Sequence, residues 1–154
     1  MSDTRMVGSQ TLVTMKVAGQ PFGIPVEAVR DILDGQRISR IPLAPKSIAG
    51  SLNLRGRIVT VLDVRVLLGL DAVEAQEKAM NVVIAHDGEL YSLLVDQVGD
   101  VLAIGSEEVE AVPQTVMPSW RSVSSGIVKL KNELVLILIT KTLLQIAGLA
   151  AVEE

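Results

Sequence analysis

Short apolar runs that alternate with polar residues dominate the chain and predict β-strands. Thr11 to Val17 alternates in this way and is rich in β-branched residues. Ala18-Gly19-Gln20-Pro21 reads as a turn, and Phe22-Gly23-Ile24-Pro25 begins a partner strand. Val26 to Val29 fits one helical turn, followed by an extended run from Arg30 to Ile38. The prolines of Ile41-Pro42-Leu43-Ala44-Pro45 mark a loop. Ser51 to Leu54 and Ile58 to Leu62 then form a hairpin around Arg55-Gly56, where Gly56 can supply positive φ.

The pattern occurs twice. A shift of 69 residues lays Val13, Met15, Gly19, Phe22, Ile24, Val29 and Asp31 over Val82, Ile84, Gly88, Tyr91, Leu93, Val98 and Asp100. A later shift of 76 lays Gly50, Leu54, Arg55, Gly56 and Ile58 over Gly126, Leu130, Lys131, Asn132 and Leu134. Asn132, like glycine, tolerates left-handed geometry. The second copy thus carries a net insertion of seven residues, placed in the polar segment Gly105 to Ser125.

Each copy offers about five strands, and closing them into a small barrel removes exposed edges. The expected fold is mainly β: two intertwined five-stranded SH3-like barrels from an internal duplication. The barrel segments are 11–68 and 79–139, with strand exchange between them left open. Each is too short for a large core of its own, so the two must pack together. Between them, Leu67 to Lys78 reads as a short helix and an acidic linker, with Gly69 as a cap or break. A last helix, Thr140 to Ala147, stops at Gly148. Residues 1–10 read as a flexible N-terminus and 148–154 as a tail.

Composition narrows the function. Of 154 residues, 49% are hydrophobic and 2% aromatic, so the core is aliphatic and the chain is not intrinsically disordered. The net charge of −4 and only three aromatics (Phe22, Tyr91, Trp120) argue against nucleic-acid binding. No cysteine is present, which excludes disulfides, thiol catalysis and cysteine-held metals. Met1 to Gln10 has no signal-peptide character, and Thr140-Lys141-Thr142 interrupts the apolar C-terminal stretch before it could span a bilayer. The expected location is cytoplasmic, without direct membrane insertion.

Candidate chemistry is sparse. His86, the single histidine, sits before the turn Asp87-Gly88 and reads as an exposed strand end. No Gly-x-Ser-x-Gly elbow, calcium-type loop or phosphate-binding glycine pattern accompanies it. Glu107, Glu108 and Glu110 fit the start of a helical turn better than an acid-base site. No catalytic residue, metal or cofactor is expected, although a small β-barrel enzyme stays as the remote alternative.

Asn53-Leu54-Arg55-Gly56, followed by the strand Ile58 to Leu62 and Asp63-Val64-Arg65, resembles the CheW family of chemotaxis coupling proteins. Phe22 to Val26, Arg40-Ile41-Pro42, Ile48-Ala49-Gly50 and Val95 to Val101 are similar to further family signatures, in the same order. The similarity covers about Gln10 to Leu144.

The resemblance implies two barrels with an apolar groove between them and a non-catalytic scaffolding role. Its implied partners are the cytoplasmic tip of a methyl-accepting chemoreceptor and the regulatory domain of a CheA-type histidine kinase. Other CheW-like domains would join in rings, with recruitment to membrane-associated receptor arrays. An adaptor of surface motility or development would look the same in sequence. Asp31 stands where family members often have Glu, which leaves open whether it reaches Arg55. Val64 replaces the usual Leu. Expected partner-binding residues are Arg55, Asn53, Leu54, Gly56, Asp31, Val29, Ile41 and Val98, with Ile32 and Val101 as further apolar candidates. Arg55 carries most of the expectation, as a bidentate carboxylate reader at a hairpin tip.

Overall fold

The computed structural model describes residues 9–150. In chain order the strands are β1 (Ser9–Val17), β2 (Gln20–Pro25), β3 (Val29–Leu33), β4 (Ile48–Leu54), β5 (Arg57–Asp63) and β6 (Met80–His86). They continue with β7 (Glu89–Val95), β8 (Gln97–Gly105), β9 (Val109–Glu110), β10 (Ser124–Lys129) and β11 (Leu134–Leu138). One sheet has the order β8-β1-β2-β11-β10-β9 and the other β3-β6-β7-β5-β4. These two sheets correspond to the two SH3-like barrels, the first gaining a sixth strand in the two-residue β9.

The sheets do not divide the chain into halves. Hairpin β1-β2 lies among the late strands β8 to β11, and hairpin β6-β7 among the early strands β3 to β5. Segments 11–68 and 79–139 therefore each contribute to both barrels. Two parallel pairings complete the exchange, β11 on β2 and β5 on β7, within otherwise antiparallel sheets.

The duplication is written in the hydrogen-bond register. Phe22 pairs with Leu136 as Tyr91 pairs with Thr60, which is the same relation under the two offsets. Val29 opposes Ile84 as Val98 opposes Met15, and Ile32 opposes Val82 as Val101 opposes Val13. Even the irregularities repeat. The shift between Ile48 and Gly50 on β4 recurs between Ser124 and Gly126 on β10.

Tight turns follow the same plan. Ala18 (φ 52°) and Gly19 (φ 80°) match Asp87 (φ 51°) and Gly88 (φ 80°), the doubly left-handed pattern that suits a twisted hairpin. Lys131-Asn132 departs from it: Leu130 and Glu133 close that turn, and neither central residue takes positive φ. The expected left-handed Asn132 is therefore not seen.

A large apolar cluster joins the two barrels. Val13, Met15 and Phe22 of the first sheet meet Leu62, Val82, Ile84 and Leu93 of the second, and Leu143 and Leu144 close it from the C-terminal helix Thr140–Ile146. Smaller clusters fill each barrel, around Leu12 and Val135 in one and around Leu52 and Val59 in the other. The largest of the three clusters thus lies between the two sheets and not inside either one.

Several boundaries differ from expectation. Ser9 and Gln10 belong to β1, because Ser9 pairs with Gly105 and Gln10 with Ile104. The rest of the expected N-terminal segment (1–8), and residues 151–154 of the tail, lie outside the described residues. The extended run after Arg30 ends at Leu33 and gives way to a bend. The helix between the halves is Val64–Leu67, ahead of the expected start at Leu67, because the Asp63 carboxylate caps it.

Candidate functional site

The hairpin β4-β5 ends in a two-residue turn in which both Arg55 (φ 50°) and Gly56 (φ 88°) are left-handed. Glycine takes this geometry freely, whereas a side chain there costs about 1 kcal/mol. Asn53 helps hold it, its Oδ1 accepting the Gly56 N–H at 2.8 Å. The left-handed backbone at Arg55 was not visible in the sequence, where only Gly56 signalled it. The turn thus presents a guanidinium from a fixed base.

Asp31 reaches that guanidinium. Arg55 Nη2 donates to Asp31 Oδ2 at 3.1 Å, while Asp31 Oδ1 accepts the Ile32 N–H at 2.9 Å. The missing methylene does not break the pair. Arg55 stays 79% exposed against 25% for Asp31, so the contact adds only about 0–1 kcal/mol of stability and mainly orients the arginine.

Beside the pair lies an open cavity of about 510 Å³, lined by Arg30, Asp31, Leu54, Arg55, Arg57 and the turn around Asp87. Arg30 donates through Nη1 to the Glu27 carbonyl at 2.7 Å. His86 also lines this cavity, with Nε2 3.4 Å from Asp87 Oδ2. Its side chain is only 22% exposed, a correction to the exposed strand end expected for it.

The structure thus gathers Asp31, Asn53, Leu54, Arg55 and Gly56 at one barrel end. It does not bring the other candidates there. Val29 and Val98 occupy equivalent bulged positions in different sheets, both half-buried against the central cluster. Ile41 lines a separate cavity with Arg40 and Lys46. Ile32 and Val101, their strands' outward residues, are exposed.

One polar cluster went unnoticed in the sequence as a unit. Arg65 clasps Asp96 through two bonds, Nε to Oδ1 at 2.9 Å and Nη2 to Oδ2 at 2.8 Å. Asp96 Oδ2 also accepts the Ala18 N–H at 2.7 Å, so the clasp ties the β1-β2 turn of one sheet to the other. Burial alone would raise the Asp96 pKa, but the Arg65 bonds and the Ala18 N–H outweigh it and hold the carboxyl below its ordinary value. Asp63 is nearly fully buried, and there burial wins and pushes the carboxyl up, although it accepts N–H groups from Arg65, Val66 and Val73. Both residues stood within recognised motifs, but only folding shows Arg65 turned toward Asp96.

Among the described residues no three His, Cys, Asp or Glu side chains gather where they could hold a metal ion. None of the described helices is long and apolar enough to cross a membrane.

Comparison with known proteins agrees with this architecture. Residues 11–147 match the family described as CheW-like domain. The chain is 27% identical to the chemotaxis protein CheW of Rhizobium meliloti over 128 residues, 83% of each chain. It is 29% identical to the chemotaxis protein CheW of Bacillus subtilis over 125 residues, 81% of this chain and 80% of that one. The scaffolding protein TtCheW from Thermoanaerobacter tengcongensis shares the fold, with a TM-score of 0.77 at 24% identity, covering 87% of this chain and 86% of that one.

Proposed function

This chain belongs to the CheW-like domain family, and on that premise we propose that it is the non-catalytic coupling adaptor of a chemotaxis receptor–kinase assembly. The proposed partners are the cytoplasmic tip of a methyl-accepting chemoreceptor and the regulatory domain of a CheA-type histidine kinase. Further CheW-like domains would join in rings, and the adaptor would work in the cytoplasm at membrane-associated arrays. The functional unit is the single CheW-like domain, residues 11–147.

The observation that carries this reading is Arg55. Its backbone is held left-handed by the turn, its guanidinium is steadied by Asp31, and most of its surface stays open beside a cavity. Such a group is suited to reading a carboxylate on an incoming helix. Asn53 and Gly56 shape the turn, and Leu54 adds an apolar side chain to the cavity lining. Signal passes because receptor state changes the geometry or population of the kinase held on the adaptor's other surface.

Arg55→Glu is expected to abolish co-sedimentation with a receptor signalling tip or with the kinase regulatory domain while its far-ultraviolet circular dichroism stays that of the wild type. Co-sedimentation unchanged with both partners would overturn the assignment of Arg55.

A further inference from the structure

We propose that the cavity beside Arg55 is a cradle for an acidic amphipathic helix of the partner protein, built by Arg30, Arg55 and Arg57 together. This deepens the assignment of Arg55 as a partner contact and rests on it. Three arginines face two aspartates, Asp31 and Asp87, around this cavity, a local net of +1 in a chain whose net charge is −4.

The three guanidinium groups are available to different degrees. Arg30 is anchored by its bond to the Glu27 carbonyl, which positions it without neutralising it. Arg55 gives one nitrogen to Asp31. Arg57 is exposed, and its side chain has no hydrogen bond or ion pair among the described residues. Arginine is weakly hydrated and forks onto carboxylates, so covering such a group costs less than covering a lysine.

The duplicate barrel end shows that the charge is not required by the fold. Under the two offsets, Arg30, Arg55 and Arg57 correspond to Gly99, Lys131 and Glu133. That end has its own cavity, lined by Gly99, Asp100 and Glu133 with Lys16, where the balance is negative. Arginines are therefore concentrated at one end of two that share a register.

Leu54 and Leu90 line the same cavity, so its lining is apolar as well as basic. An amphipathic helix with carboxylates flanking an apolar stripe matches both features. A nucleic-acid strand does not, because no Phe, Tyr or Trp lines the cavity and the chain as a whole is acidic.

The test measures binding of a receptor signalling-tip fragment and of a kinase regulatory domain, each by titration calorimetry, at several salt concentrations. The variants are Arg30→Gln, Arg57→Gln, Arg57→Lys and Arg55→Gln in the full chain. With one of the two partners, Arg30→Gln and Arg57→Gln should each weaken binding about fivefold at low salt and flatten its salt dependence. Arg57→Lys keeps the charge and should recover most of the loss. If Arg55→Gln weakens binding while Arg30→Gln and Arg57→Gln leave affinity and salt slope unchanged for both partners, the cradle is wrong and the Arg55 assignment stands. If Arg55→Gln is also silent, the assignment falls with it.

Discussion

Leu12 and Gly23 in the first barrel stand where Asn81 and Ser92 stand in the second. In the first, Leu12 is fully buried, and a Cβ on Gly23 would meet its Cδ1 at 3.2 Å. In the second, Ser92 Oγ donates to Asn81 Oδ1 at 2.8 Å, while Asn81 Nδ2 is buried without a partner. An orphaned donor of this kind costs about 1–3 kcal/mol. The two barrels thus share a hydrogen-bond register and differ in what fills them. The frame is set by backbone pairing, turns and bulges, and the core has been free to drift. The barrel that presents Arg55 is the less completely satisfied of the two.

The comparison breaks most sharply at its paired bulges. Gly50 has φ 148°, and a Cβ there would lie 2.2 Å from the Ser39 carbonyl oxygen. At the counterpart, Gly126, the near atoms would be the Val109 Cγ1 at 2.8 Å and the Glu110 carbonyl oxygen at 3.0 Å, a less severe approach. Gly50→Ala is expected to cost about 4 kcal/mol and Gly126→Ala about half that, read from denaturant midpoints. Equal losses would show that the close approach at Ser39 does not distinguish the barrels.

Exchanging the cores comes next. Leu12→Asn with Gly23→Ser places the polar pair in the apolar barrel and should lower stability by about 3 kcal/mol. The clasp follows, because it joins the two sheets rather than filling either. Arg65→Gln should cost about 2 kcal/mol at neutral pH, since a charged hydrogen bond between partly buried groups is lost. The Asp96 carboxyl sits below its ordinary value of 3.8 in the folded state, so its contribution is present above that value. It is lost as pH falls through the folded pKa. The stability gap between Arg65→Gln and the wild type should therefore close on acidification below 3.8, and a gap independent of pH would deny Asp96 this role. Smallest is the reverse exchange, Asn81→Leu with Ser92→Gly, expected to stabilise by about 1 kcal/mol in thermal melts.

Much of the frame was legible beforehand because strands, turns and bulges leave local marks. The offset pairs Gly19/Gly88 and Gly50/Gly126 identified the duplication, and the observed register repeats it residue by residue. Asn53 to Gly56 was identifiable as a hairpin for the same reason. Strand exchange was not, since nothing in the sequence of β2 or β11 says that Phe22 will lie beside Leu136. Nor was the gathering of Arg30, Arg57 and His86 around Arg55, which depends on β6-β7 folding into the early sheet. Arg55 being left-handed was hidden too, because an arginine carries no preference for that geometry.

Strand exchange also sets the order in which the protein can take shape as it leaves the ribosome. The sheet of β3 to β7 has all its strands once Val95 has emerged. Hairpin β1-β2, made first, must wait for β8 and then for β11 at the far end of the chain. Until β8 emerges Met15, Phe22 and Ile24 have no late strand beside them, although hairpin β6-β7 can already offer Ile84 and Leu93. The hairpin that emerges before every other strand of its sheet is thus among the last to be sealed, and it is a stretch that a chaperone would have reason to hold.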